Sequence, residues 1–104
     1  MTDTIPFDQI RDTALAQADR LLIDWFPHGK KVGREFRIGN IHGDAGESLA
    51  INLTTGKWAD FADRTGGHDL IDLRAAMAHG GDRVKATLEL GPMLGIAVNC
   101  SGAQ

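Results

Sequence analysis

The sequence has almost no cysteine, no long apolar run and no excess of basic residues. The single cysteine, Cys100, rules out an internal disulfide and an all-thiolate metal site in this 104-residue chain, and it fits a reducing cytoplasm. No apolar run approaches the ~20 residues of a membrane span. The opening MTDTIPFDQ lacks the basic residues of a secretory signal. A net charge of −3 argues against a general polyanion binder. From the chain length and these absences together, we expect one small cytoplasmic domain.

Sequence motifs of catalysis are also missing. The chain contains no G-x-S-x-G, no phosphate-binding P-loop and no G-x-G-x-x-G behind a strand. Cys100 has no evident histidine partner, which disfavours a nucleophilic role. Asp60, Asp63 and Asp69 form the densest group of carboxylates. They either bind Mg²⁺ or, as we favour, close a hairpin and cap a helix. The sequence thus predicts a protein that is not itself an enzyme.

Basic residues are concentrated in one short block. Residues 27–37 contain Lys30, Lys31, Arg34 and Arg37 against a single acid, whereas the segments on both sides are acidic. Such a block is either a solvated surface or a strip that contacts phosphates. It lies where the first strand of the predicted sheet begins, so both interpretations stay open.

Hydrophobic periodicity predicts helices at both ends of the chain. Apolar residues at three- and four-residue steps indicate a helix over residues 5–25, with Thr4 as a plausible cap. A second helix is predicted over residues 69–79, where Asp69 follows a Gly-Gly turn and can cap the first turn. A third is predicted over residues 83–90, because the Gly-Pro step that follows disfavours continuation.

Between these helices the pattern changes to the period of two that is typical of strands. The strands are predicted at residues 35–38, 48–53 and 57–61. They form an antiparallel three-stranded β-meander over residues 34–61, so the fold class is α+β, a small sheet packed with flanking helices. We expect one domain over residues 1–92 and a tail over 93–104.

The spacing of four residues near this meander fits a family pattern. His42 lies three positions after Gly39, and Asp60 follows eighteen positions later. Asp60 and Asp63 are spaced as a C-x2-C pair just before Gly66-Gly67. This order resembles the N-terminal zinc-ribbon domain of bacterial and phage DNA primases, whose motif is C-x2-H, a spacer, C-x2-C and a Gly-Gly-Asp turn into a helix. The resemblance is strongest to the degenerate form found in phage primase–helicase proteins, and it covers residues 34–79 well.

The resemblance implies a zinc site, but the ligands are degenerate. Gly39 stands at the first cysteine position, and Asp60 and Asp63 stand where thiolates would be. Only His42 matches, with His68 as the one nearby addition, whereas structural zinc prefers four ligands that include several thiolates. We therefore expect no cofactor, and a sheet and helix held together by packing. The side chains expected to form that core are Leu49, Ile51, Trp58, Phe61, Leu70 and Leu73.

The resemblance also implies binding of a single-stranded DNA template. The family presents its sheet to the template, with basic residues on the backbone and exposed aromatics on the bases. The residues expected to contact nucleic acid are Lys30, Lys31, Arg34, Arg37, Lys57, Trp58 and Arg64. Trp58 has an alternative role in the core, because so small a sheet has few other large groups. The expected partners are single-stranded DNA and a linked or separate replicative primase or helicase.

Two alternatives without DNA binding stay open. A net acidic domain that has lost its ligands could dock on a helicase or another replication protein through the helix over residues 5–25 and its Trp25-Phe26 end. It could also be a phage-encoded inhibitor that mimics a host replication domain. Salt-dependent binding to short single-stranded DNA separates the first hypothesis from both alternatives.

Overall fold

The computed structural model describes residues 6–96, which form four helices and one five-stranded antiparallel sheet. The helices are α1 (Phe7–Ala16), α2 (Ala18–Trp25), α3 (Leu70–Ala78) and α4 (Arg83–Met93). The strands are β1 (Lys30–Val32), β2 (Glu35–Ile38), β3 (Leu49–Asn52), β4 (Trp58–Asp60) and β5 (Thr65–Gly67), side by side in chain order. The α+β class is confirmed. None of the helices in this part of the chain is long and apolar enough to cross a membrane.

The sheet has two more strands than the sequence predicts. The three predicted strands are present as β2, β3 and β4, but β1 forms between the first predicted helix and the first predicted strand, and β5 forms at the Gly-Gly turn. Both are short strands that pair with the open edges of the central three, β1 with β2 and β5 with β4. Gly67 faces Trp58 in this pairing, and a Cβ at Gly67 would lie 2.5 Å from Trp58 Nε1. Glycine is therefore required for β5 to approach the tryptophan.

The helix predicted over residues 5–25 is two helices. They meet at Gln17, whose N–H donates to both Thr13 O and Ala14 O at 3.1 Å. α1 places Ile10 in a cluster with α3 and α4, whereas α2 places Leu22 against the sheet. The amphipathic segment therefore contributes to both clusters, with Ala14 of α1 joining Leu22 in the larger one.

The other helix boundaries follow their capping residues. Asp69 caps α3 as predicted, because its Oδ1 accepts from Asp72 N at 2.8 Å. α4 continues through Pro92 to Met93, about one turn beyond the predicted end. Thr4, the expected cap of the first helix, lies outside the described residues, and so does the predicted tail beyond Ile96.

Two apolar clusters form the core on one side of the sheet. The larger joins α2, α3 and Ala14 of α1 to the inner face of the sheet, and the smaller joins α1, α3 and α4. Phe26 is fully buried in the larger cluster, and Trp25 is half-buried beneath Arg74, whose guanidinium carbon lies 5.2 Å from the ring centroid. The Trp25-Phe26 end is therefore part of the core, and the expectation that it forms a docking surface is wrong.

A charged cluster fastens α3 to α4. Arg74 donates to both oxygens of Glu89, at 2.9 and 2.6 Å, and His79 Nε2 lies 2.7 Å from Glu89 Oε1. The hydrogen bond from Arg74 is the largest cause that lowers the pKa of Glu89 to about 2, and the contact with His79 acts in the same direction. The ionised form of Glu89 is therefore favoured by the fold.

We expect this cluster to make the domain less stable in acid. A carboxylate with a lowered pKa contributes its full stabilisation above the unfolded pKa, and loses it as the pH falls from about 5 to about 2. The contribution is about 1 kcal/mol, because the pair is partly exposed to solvent. Urea unfolding of Glu89→Gln and the wild type should differ near neutral pH and converge near pH 2. A constant difference across that range would contradict the assignment.

Candidate nucleic-acid interface

The sheet has an outer face that contributes no residue to either apolar cluster. Strand register places one residue from each strand in a row across this face: Lys30, Arg37, Ala50, Ala59 and Gly66. At the usual strand spacing the row spans ~19 Å. The centre of the row carries only small side chains, and a shallow groove runs over Ala50 and Ala59. Ala50 itself is 6% exposed, so the surface offered to a ligand here is formed by Ala59 and the residues that border the groove.

Strand alternation divides the basic block between two faces. Lys30 and Arg37 are register partners on the outer face, whereas Lys31 pairs in register with the buried Phe36 and so faces the helix side. Arg34 lies in the β1–β2 turn and lines a cavity of about 310 Å³ with Lys31 on that side. The four residues thus do not form one continuous strip.

The basic side chains that are paired make weak surface contacts. Lys30 lies 3.6 Å from Glu47, Lys31 lies 3.3 Å from Asp19, and Arg37 lies 2.7 Å from Glu35. The exposed pairs of Lys30 and Lys31 contribute ~1 kcal/mol or less, so a phosphate can displace their acidic partners. Arg37 is held more firmly, because its Nε and Nη2 both donate to Glu35 Oε1, at 3.1 and 2.7 Å. Arg34, Lys57 and Arg64 make no ion pair with any residue between 6 and 96.

Two aromatic residues, one at the start of β4 and one just after it, lie on opposite faces of the sheet. Trp58 is 7% exposed and its Nε1 donates to the Asp69 carbonyl at 3.1 Å, which favours the core-packing alternative. Phe61 is 69% exposed, so the prediction that it lies in the core is wrong. Phe61 borders the shallow groove on the outer face, together with Lys57. The sequence itself indicates these opposite orientations, because side chains alternate between the two faces of a strand and residues 58 and 61 are an odd number of positions apart.

The four positions of the degenerate metal motif surround one cavity. Gly39 and His42 follow β2, Asp60 ends β4, Asp63 lies in the turn after it, and all four line a cavity of about 360 Å³. β2 and β4 run in the same direction, since each is antiparallel to β3 between them. Their carboxyl ends therefore meet at one edge of the sheet. His68 is not among the residues that line the cavity.

Asp60 stabilises the turn that forms one side of the cavity. It is 3% exposed, and its Oδ1 accepts from Ala62 N at 3.0 Å and from Asp63 N at 3.2 Å. Arg64 then adopts φ of 57° and donates its N–H to Asp60 O at 2.8 Å. The turn is thus closed by a carboxylate that accepts backbone hydrogen bonds, as the hairpin interpretation of Asp60 predicts.

The side chains around the cavity do not fit structural zinc. Gly39 supplies no ligand atom, and a Cβ there would lie 2.5 Å from Asp44 O, so a longer side chain has no room without a shift of the backbone. Asp60 Oδ1 already accepts two hydrogen bonds. No group of three or more histidine, cysteine or acidic residues within residues 6–96 is placed to hold a metal ion.

Comparison of the chain with protein-family models, with curated proteins and with solved structures found no match.

Proposed function

We propose that this chain is a non-catalytic DNA-binding module of the primase zinc-ribbon type, which positions single-stranded template for a linked or partner primase or helicase. The observation that carries the proposal is the convergence of Gly39, His42, Asp60 and Asp63 on one cavity. These positions match the family motif by spacing alone. Their meeting at one edge of an antiparallel sheet is what a ribbon with that motif would require.

The outer face of the sheet supports the choice of ligand. Lys30 and Arg37 lie at one end of the register row, and Lys57 and Phe61 border the groove farther along. Cations that contact phosphates beside an exposed ring that stacks on bases are the usual means of binding single-stranded nucleic acid. The net charge of −3 limits the affinity, so binding should be strongest at low salt.

Two double variants, each of which removes two positive charges, test whether the outer face of the sheet binds DNA. We expect Lys30→Ala with Arg37→Ala to weaken binding to single-stranded DNA and to lower the slope of log affinity against log salt by about 1.4, as expected for two lost phosphate contacts. Lys31→Ala with Arg34→Ala removes the same charges from the helix side and should change the slope much less. Fluorescence anisotropy with a labelled oligonucleotide, at a series of salt concentrations, measures both.

Equal losses in the two double variants would show that general charge, and not the outer face, attracts the DNA. No binding by the wild type at low salt would refute the proposal for this domain.

A second candidate function is docking on a replication protein without DNA. The observation that favours it is a cavity of about 420 Å³ lined by Ile23 of α2 and Met93 of α4, which are 47% and 45% exposed, with Arg20 and Asp24 beside them. Apolar side chains grouped at such a surface are typical of protein contacts. Ile23→Asp should abolish capture of the partner in a pull-down and leave any DNA affinity unchanged.

A further inference from the structure

A cavity on the helix side of the sheet lies between the α1–α2 junction and the β1–β2 turn. Its volume is about 310 Å³, and Leu15, Ala18 and Leu53 line it with aliphatic side chains that are buried or half-buried. The Leu53 N–H donates to Arg34 O at 2.8 Å, so the turn is fixed beside these side chains. A pocket of this size with an apolar floor can enclose an aliphatic side chain or a small ligand.

The rim of this cavity carries the half of the basic block that does not lie on the outer face. Lys31 and Arg34 are both exposed and line the cavity together with Asp19. Arg34 makes no ion pair with any residue between 6 and 96, and Lys31 contacts Asp19 at 3.3 Å in an exposed pair that a ligand can displace. The rim is therefore locally positive in a chain whose net charge is −3.

The chemistry of the rim and floor favours an acidic peptide over DNA as the occupant. An arginine and a lysine side by side bind carboxylates through charge-assisted hydrogen bonds, and the aliphatic floor suits an aliphatic side chain. Single-stranded DNA is also negatively charged, but its bases are bound by stacking on aromatic rings. Among the described residues that line this cavity there is no aromatic side chain.

We propose that this cavity binds an acidic, leucine-containing segment of a partner protein, with carboxylates on Lys31 and Arg34 and the leucine side chain against Leu15 and Leu53. Lys31 faces the helix side, whereas its neighbour Lys30 faces the outer side of the sheet. A partner protein and a DNA strand can therefore occupy the domain at the same time. The basic block then has two functions, one on each side of the sheet.

The test measures binding of a short fluorescein-labelled peptide, in which leucine is flanked by aspartates, by fluorescence anisotropy. We expect Lys31→Ala with Arg34→Ala to weaken binding by about tenfold or more, the effect of losing a hydrogen bond between charged groups. Lys30→Ala with Arg37→Ala is the matched control, because it removes the same charge from the outer face. At about 0.1 M salt, where distant surface charges are largely screened, the control should change the affinity by no more than about twofold. Peptides with asparagine for each aspartate, or with glycine for leucine, should bind less tightly than the parent peptide.

Equal weakening in the two double variants would overturn the proposal, because net charge alone would then attract the peptide. Unchanged affinity of the asparagine peptide, or no binding of the parent peptide to the wild type, would also overturn it. Unlabelled oligothymidylate that displaces the peptide from Lys30→Ala with Arg37→Ala would assign the cavity to DNA instead. The peptide titrations contain no DNA, so their failure would leave the proposed function standing.

Discussion

Replacing Trp58 with alanine is expected to lower the free energy of unfolding by about 3–5 kcal/mol, the usual range for a buried tryptophan. Trp58 is 7% exposed in the larger apolar cluster, and its Nε1 donates to the Asp69 carbonyl at 3.1 Å. The substitution removes this hydrogen bond and leaves a cavity between β4 and the start of α3. Because small domains are stable by only about 5–15 kcal/mol, the variant should be largely unfolded under mild denaturing conditions.

Phe61→Ala is the matched control, because it truncates the neighbouring aromatic directly after the same strand. Phe61 is 69% exposed, so its loss should change the free energy of unfolding by no more than about 0.5 kcal/mol. Urea unfolding followed by circular dichroism measures both variants. Similar losses in the two would contradict the opposite orientations of these side chains.

The parts of the fold that the sequence predicted are those with a strong local pattern. β3 has the clear alternation of Leu49 and Ile51, and Asp69 follows a turn and caps α3 as expected. β1 and β5 were missed because their side chains carry no such signal. β1 is exposed along its length, and β5 contains Gly66-Gly67, which has no side chains to show a period. Those two strands are stabilised by pairing and close packing with residues distant in sequence, which a local hydrophobic pattern does not reveal.

The candidate site was predictable in its positions but not in its chemistry. The resemblance placed Gly39, His42, Asp60 and Asp63 at one metal motif, and they do line one cavity. The identity of the occupant depends on atoms that spacing cannot describe, such as the hydrogen bonds that Asp60 Oδ1 already accepts. For the basic block the sequence does contain the needed information, because consecutive residues of a strand, such as 30 and 31, point to opposite faces of the sheet. Applied there, the period of two would have separated Lys30 from Lys31.

Phe61→Ala is also expected to weaken binding to single-stranded DNA by about five- to a hundredfold, the effect of losing one stacked base. The ring is the exposed aromatic that borders the groove on the outer face, close to Lys57. Trp58 cannot replace it without leaving the core and breaking its contact with Asp69. Fluorescence anisotropy with a labelled oligonucleotide at low salt gives the affinity, on protein whose folding is checked by circular dichroism.

Conservative variants at Phe61 distinguish stacking from simple apolar contact. Phe61→Tyr keeps an aromatic face and should retain most of the affinity, whereas Phe61→Leu keeps apolar area without a ring and should lose nearly as much as alanine. The dependence on salt should stay the same in all three variants, because none of them changes a phosphate contact. Wild-type affinity in Phe61→Ala would place the bases elsewhere on the domain, and would limit the outer face to the phosphate contacts that the Lys30 and Arg37 variants test.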